Sequence, residues 1–174
     1  MKIILFDLGN TLEDEKRGGL LPGASETLEA IQAMRDANGN APVLALVSNF
    51  GVIPATSVQI QASQREYFGI LRDLGILKHF EPVLRRVTLS TEVGAAKPSR
   101  KVFQAVIDKL GGGLRFQDVM FITERRSHVN AARKLGIKAI HFKGPGEIRG
   151  DVTLLPDLIP LVRDFSEAIQ LGNE

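Results

Sequence analysis

Cysteine and tryptophan are absent from these 174 residues, and tyrosine occurs once. Without cysteine there is neither a disulfide framework nor a thiolate metal site. Aromatic residues make up 6% of the chain, and the formal net charge is only +2. The basic surplus and aromatic-basic interleaving of a nucleic-acid binder are therefore missing, and no nucleic-acid partner is expected. No apolar run approaches the roughly 20 residues of a membrane span, so no membrane association is expected. Asp7 interrupts the one apolar run near the N-terminus, which does not read as a signal peptide. The expected location is the cytoplasm. Internal repeats and low-complexity tracts are also lacking.

Hydrophobic residues supply 44% of the chain and charged residues 24%, the balance of a globular protein. Its length suits one domain over residues 1–174. Apolar runs at 2–6, 43–47, 82–89, 119–123 and 138–142 read as strands. Helical spacing is found over 25–36, 57–74, 100–110 and 128–135. Residues 144–151 read as a loop, and 156–169 as a closing helix with Pro156 near its first position. Pro160 predicts a kink there or a later start. Alternation of strand and helix predicts an α/β fold, a Rossmann-like three-layer α/β/α sandwich around a mostly parallel sheet. Gly111-Gly112-Gly113 precedes a strand instead of following one, so it is not a dinucleotide fingerprint.

Four polar sites fall at the C-terminal ends of four predicted strands, where open α/β sheets bind their ligands. Asp7 ends the first, Ser48-Asn49 the second, Lys97 follows the third, and Thr123-Glu124 ends the fourth. A carboxylate, a hydroxyl, an ammonium and a second carboxylate suit phosphoryl transfer through an aspartyl-phosphate. The first carboxylate attacks phosphorus. The hydroxyl and ammonium hold the phosphoryl oxygens. The second carboxylate offers a hard oxygen ligand to Mg²⁺.

These residues resemble the haloacid dehalogenase (HAD) superfamily of hydrolases over roughly residues 1–142. Phe6-Asp7-Leu8-Gly9-Asn10-Thr11-Leu12 is similar to the family's first motif, Asp-x-Asp-x-Thr. Val47-Ser48-Asn49 resembles the second motif, and Glu92-Val93-Gly94-Ala95-Ala96-Lys97-Pro98 the third. Phe121-Ile122-Thr123-Glu124, followed by Ala131-Ala132-Arg133-Lys134-Leu135-Gly136, stands where the fourth motif and its helix belong. The resemblance implies Asp7 as nucleophile and metal ligand, and Thr11 and Ser48 as orienting groups. It further implies Lys97 as charge neutraliser, and the Gly9 carbonyl and Glu124 as further ligands of a weakly held Mg²⁺. Asn49, Arg125 and Arg126 are the candidate substrate contacts.

Two positions depart from the family pattern. Gly9 stands where phosphatases of the family carry an Asp that protonates the leaving group, and losing a general acid removes about 10²–10⁴ in rate. In the fourth motif Glu124 replaces Asp, and His128 takes the place of a later Asp. Arg125-Arg126 enters a region that is usually acidic and invites anion contact.

Neither 13–42 nor 50–81 has room for the family's α/β caps, so the architecture reads as essentially capless, with residues 51–64 as a flap over the site. Open sites of this kind go with bulky or macromolecular substrates, or with capping by a neighbouring subunit. The leading expectation is slow, metal-dependent phosphate-ester hydrolysis of a phosphorylated substrate. The alternative is a catalytically inactive HAD fold that binds a phosphorylated ligand or a protein partner. Oligomerisation is compatible with either. His79 and His141 read as packing or surface residues, His128 as structural or exposed, and Arg85-Arg86 as strand residues split between faces.

Overall fold

The computed structural model describes residues 1–143 and 149–168. Five strands form one sheet: β1 (Ile3–Phe6), β2 (Val43–Ser48), β3 (Val87–Leu89), β4 (Val119–Thr123) and β5 (Lys138–His141). The helices are α1 (Ala24–Ala33), α2 (Ser57–Asp73), α3 (Val83–Arg86), α4 (Ser90–Val93), α5 (Arg100–Leu110), α6 (Arg126–Lys134) and α7 (Leu158–Glu167). Strand order is β3-β2-β1-β4-β5, and every pairing is parallel. The chain moves outward on one side of β1 and then returns to its other side. The crevice at the carboxyl ends of β1 and β4 is therefore the topological switch point.

All four residues of β1 are buried, as expected for a central parallel strand covered on both faces. Alternate residues feed two cores. Ile4, Phe6, Leu44, Leu46, Met120 and Ile122 pack under Leu28 and Ile31 of α1, Leu71 of α2 and Phe165 of α7. Ile3, Leu5, Ala45, Val47 and Phe121 face Val102, Phe103 and Val106 of α5 and Val129 and Ala132 of α6. Each large apolar side chain so buried contributes about 1.5–3 kcal/mol. The periodic stripe on α5 explains why it was legible, and Ser99 caps it by accepting from Lys101 N at 3.3 Å.

Three elements differ from the sequence expectation. The predicted strand 82–89 begins as the helical turn α3, and only Val87–Leu89 pair with β2. Arg85 and Arg86 therefore belong to a helical turn and not to a strand. Arg85 Nη2 donates to the Leu110 carbonyl at 2.9 Å, one of the orphan acceptors at the end of α5. Residues 34–36 fall outside α1. The closing helix starts late, at Leu158 after a 3₁₀ turn, which puts Pro160 in the first turn where its missing N–H costs nothing. Residue 169 of that predicted helix, and 144–148 of the predicted loop, lie outside the described residues.

Segments 13–42 and 50–81 hold loops, α1, α2 and one 3₁₀ turn. Residues 51–56 form the loop ahead of α2, and 57–64 are its first turns. Thr56 closes that loop with a capping box, accepting from Gln59 N while Gln59 Oε1 accepts from Thr56 N at 2.9 Å. Thr91 Oγ1 pins the loop to α4 by donating to the Val52 carbonyl at 2.8 Å. Among the described residues no helix is long and apolar enough to cross a membrane.

Candidate functional site

The site is built where β1 stops. Asp7 N donates to the Ile122 carbonyl at 3.0 Å, continuing the β1–β4 ladder one residue past the strand. This fixes the Asp7 backbone and turns its side chain into the crevice. Lys97 Nζ reaches Asp7 Oδ1 at 2.6 Å, and the ammonium side chain is 2% exposed. It also donates to the Val47 carbonyl at 2.9 Å. The Leu8 amide donates to Asp7 Oδ1 at 3.0 Å. Burial pulls the Lys97 ammonium below the ordinary lysine range, and the adjacent Asp7 carboxylate opposes that shift.

The second Asp7 oxygen belongs to Thr123. Its hydroxyl, with a single proton to give, stands 2.9 Å from Asp7 Oδ2 and 3.2 Å from Glu124 Oε2. Thr11 Oγ1 donates to Glu124 Oε2 at 3.1 Å and accepts from Glu124 N at 3.2 Å, joining the first loop to the end of β4. Asp7, Thr11, Lys97 and Glu124 are thus one hydrogen-bonded group drawn from three strand ends.

The other expected site residues each have a protein neighbour or a cavity beside them. Asn49 braces the Lys97 backbone, with Oδ1 accepting from Lys97 N at 2.7 Å and Nδ2 donating to its carbonyl at 3.3 Å. Its amide therefore positions Lys97. Ser48 lies against Tyr67 of α2. Burial pushes that phenol up, the Ser48 side chain offsets part of the rise, and Asp7 and Glu13 add to it. The Tyr67 hydroxyl holds no hydrogen bond of good geometry among the described residues. Arg125 Nε donates to Glu124 Oε1 at 3.1 Å. Arg126 is exposed and opens onto a separate cavity behind α6.

Two further side chains stand at the site, and the first of them, unlike the second, has no place in the sequence expectations. The first is Glu15. A Cβ built on Gly9 would press into its carboxylate, with Glu15 Cδ only 2.7 Å away. The Glu15 carboxyl group therefore fills the volume that a side chain at residue 9 would take. Asn10, left-handed at φ 53°, turns the loop back and donates through Nδ2 to Glu15 Oε2 at 2.5 Å. No spacing rule links Gly9 to a residue six positions on, so this was visible only in three dimensions.

The second is His128, which is buried, in keeping with the structural one of its two expected readings, and whose Nδ1 has no partner among the described residues. Burial first, then the Lys97 ammonium, hold its pKa down to about 4, while Asp7 pulls the other way. In the unfolded chain a histidine titrates near pH 6.5. Below that pH the unfolded state takes up a proton that the folded state refuses. His128 therefore removes stability as pH falls from about 6.5 to 4, by at most about 3 kcal/mol. In urea unfolding, the stability difference between wild type and His128→Gln should shift against wild type by about 2 kcal/mol from pH 7 to pH 4.5. An unchanged difference would show that His128 titrates alike in both states.

Among the described residues no three His, Cys, Asp or Glu side chains converge into a metal cluster. Mg²⁺ needs fewer, because it keeps several waters and takes one or two carboxylates together with substrate phosphate. The Thr123 hydroxyl stands between Asp7 and Glu124, and Asp7 Oδ2 and Glu124 Oε1, each with one donor among the described residues, keep a lone pair for a metal. The donor set fits Mg²⁺, in competition with the Lys97 and Arg125 cations already bound to it.

No family model matches the sequence, and no curated protein matches it. Solved structures do. The core domain of a candidate phosphoglycolate phosphatase from Streptococcus pneumoniae TIGR4 superposes with a TM-score of 0.59 at 22% identity, over 93% of this chain and 95% of that one. The L-2-haloacid dehalogenase of Xanthobacter autotrophicus gives 0.61 at 14% identity, over 94% and 98%. The candidate HAD-hydrolase YfnB of Bacillus subtilis, solved bound to magnesium, gives 0.59 at 15% identity. That match covers 82% of this chain and 56% of YfnB, so the chain spans a little over half of YfnB's length.

Proposed function

We propose that this chain, which has the HAD-like α/β fold, is a hydrolase that cleaves phosphate monoesters through a covalent intermediate on Asp7. The observation that carries this reading is the Asp7 carboxylate itself. It is nearly buried at the switch point, held by Lys97 on one oxygen and by Thr123 on the other. Lys97 and the Leu8 amide occupy Oδ1, which leaves Oδ2 with a lone pair for attack, and together the contacts fix the plane of the carboxylate before substrate arrives.

In the first step an Asp7 oxygen attacks phosphorus, and the bond from phosphorus to the ester oxygen breaks. The leaving alkoxide takes its proton from Glu15, whose carboxyl occupies the space beside Gly9. In the second step Glu15, now a carboxylate, accepts a proton from water as the water oxygen attacks phosphorus. Phosphate leaves and Asp7 is restored. Lys97 balances charge on Asp7 as the phosphoryl group arrives. Asp7, Glu124 and the Gly9 carbonyl would hold Mg²⁺ weakly, and the bound ion offsets charge on the phosphoryl oxygens. Ser48, at the end of β2, orients the phosphoryl group, and residues 51–64 form the flap beside an otherwise open crevice. Arg125 contacts the substrate after releasing Glu124.

The test is a phosphatase panel with and without Mg²⁺, run on wild type and Glu15→Gln. Alkyl phosphates need a protonated leaving group and aryl phosphates do not. Glu15→Gln should therefore lower turnover of alkyl esters by about 10²–10³ and that of aryl esters by less than about tenfold. Gly9→Asp, whose side chain would displace Glu15, should restore alkyl turnover in the Glu15→Gln background. An equal loss on both ester classes would remove Glu15 from the proton-transfer role. A wild-type protein inert on every ester would favour the binding-protein alternative.

A further inference from the structure

Behind α6, away from Asp7, lies a cavity of about 390 Å³ into which three arginines open: Arg126, Arg133 and Arg149. Asn130 and Thr153 complete a polar lining, and among the described residues the one carboxylate on the wall is Asp151.

That carboxylate is already committed. Asp151 Oδ2 accepts from Arg133 Nη2 at 2.6 Å and from the His141 amide at 2.8 Å. Arg133 is further fixed by two bonds to the Ala139 carbonyl, at 3.0 and 2.8 Å. Arg126 and Arg149 have no ionic or hydrogen-bond partner among the described residues.

The wall itself is well built. Asp151 N donates to the His141 carbonyl at 2.8 Å, and Lys143 N to the Val152 carbonyl at 2.8 Å, lacing the returning chain onto the end of β5. A Cβ at Gly150 would lie 2.8 Å from the Lys143 Cβ and 3.0 Å from the His141 carbonyl oxygen, so only glycine permits this approach. The result is a concave, polar surface lined by three guanidinium groups and, among the described residues, one carboxylate. That excess of positive charge favours an anion, and two forks without a partner among the described residues, with an amide and a hydroxyl, suit a tetrahedral oxyanion.

We propose that this cavity is a second anion site, which takes a phosphate group distinct from the one that Asp7 attacks. It neighbours the catalytic crevice: His141 lines it and makes a 2.9 Å hydrogen bond through Nε2 to the Glu124 carbonyl. The phosphate is either a free ion or the second phosphate of a bisphosphorylated compound. The site stands on its own charge and shape, and it survives if the Asp7 reading fails.

The experiment follows the arginine Nε–Hε resonances of the full chain by NMR while inorganic phosphate is added at constant ionic strength, with chloride as the reference salt. Saturable shifts of Arg126 and Arg149 are expected, and Asp7→Asn should leave them in place. Arg149→Gln should weaken binding at least about tenfold. Asn130→Asp, which puts a carboxylate into the same lining, should abolish it. A short alkane bisphosphate separates the two sources. Shifts of Arg125, at the catalytic crevice, and Arg149 together identify a second phosphate of the substrate, whereas shifts of Arg149 by inorganic phosphate alone identify a free ion. Shifts that never saturate, that chloride reproduces, or that are confined to Arg125 at the catalytic crevice would overturn the proposal. Because no turnover is read, an inert protein that still binds phosphate here counts against the hydrolase and for the cavity.

Discussion

Asp7→Asn is expected to lower phosphate-ester turnover by about 10⁴-fold or more, whatever the leaving group. An amide oxygen is too weak a nucleophile to displace an alkoxide from phosphorus. The loss therefore does not depend on leaving-group pKa, in contrast to that of Glu15→Gln. The substitution is close to isosteric, and the amide oxygen still accepts from the Leu8 N–H that now meets Asp7 Oδ1 at 3.0 Å. The Lys97 ammonium loses its counter-ion at 2.6 Å but keeps the Val47 carbonyl at 2.9 Å. Breaking one side of a buried pair costs about 3 kcal/mol, less than the whole stability of an ordinary domain. Circular dichroism should thus report a folded protein with a lowered Tm and no turnover. Residual activity within tenfold of wild type would place the nucleophile elsewhere.

Lys97→Met is expected to damage both stability and chemistry. The methionine fills most of the channel that the lysine stem occupies, so packing is largely kept. What disappears is the only cation in direct contact with Asp7 among the described residues. The carboxylate, itself buried at the foot of the crevice, is then left with the Thr123 hydroxyl and the Leu8 amide as its remaining donors. A loss of about 3 kcal/mol in urea unfolding at pH 7 is expected. Turnover should fall by about 10²–10³, the usual effect of deleting one preorganised charge-stabilising donor. The loss should appear in kcat, because the ammonium matters most as the phosphoryl group reaches Asp7. A variant with unchanged kcat and a raised KM would make Lys97 a binding residue only.

Much of this site was legible in the sequence because parallel-sheet proteins place chemistry where apolar runs stop. The runs ending at Phe6, Ser48 and Thr123 are unbroken and buried, so Asp7 and Glu124 could be located from strand ends alone. Lys97 was legible for the same reason, although it follows β3 by way of α4. Strand β3 was the weak point. Val83, Leu84 and Val87 alternate with nothing in particular, and Leu84 proved 62% exposed on a helical turn. The decisive interaction there, from Arg85 to the end of α5, joins residues 25 positions apart and leaves no local trace.

The features that the sequence concealed share one property, in that each depends on a chain reversal. Glu15 reaches Gly9 only because Asn10 adopts a left-handed conformation. His128 stands in the sequence where a later Asp of the fourth motif belongs, but its burial beside Lys97 follows only once α6 is docked. The arginine cavity unites α6 with the chain returning from β5, and Gly150 gives no sign in sequence that it permits that contact. Asn49 shows the converse case. It sits at a strand end, where a ligand contact is expected, and its amide is used to hold the Lys97 backbone.

The claim on which the rest depends is that phosphorus is transferred to Asp7. Wild-type protein mixed with an aryl phosphate, quenched within one turnover and reduced with borohydride, should yield homoserine at position 7 in the peptide that carries β1. An aspartyl-phosphate is an acyl phosphate and is reduced under these conditions, whereas a free carboxylate is not. The account predicts reduction at Asp7, dependent on substrate and abolished by hydroxylamine treatment before reduction. Turnover that proceeds with Asp7 never reduced, or with the phosphoryl group recovered on His128 or another side chain, would contradict it.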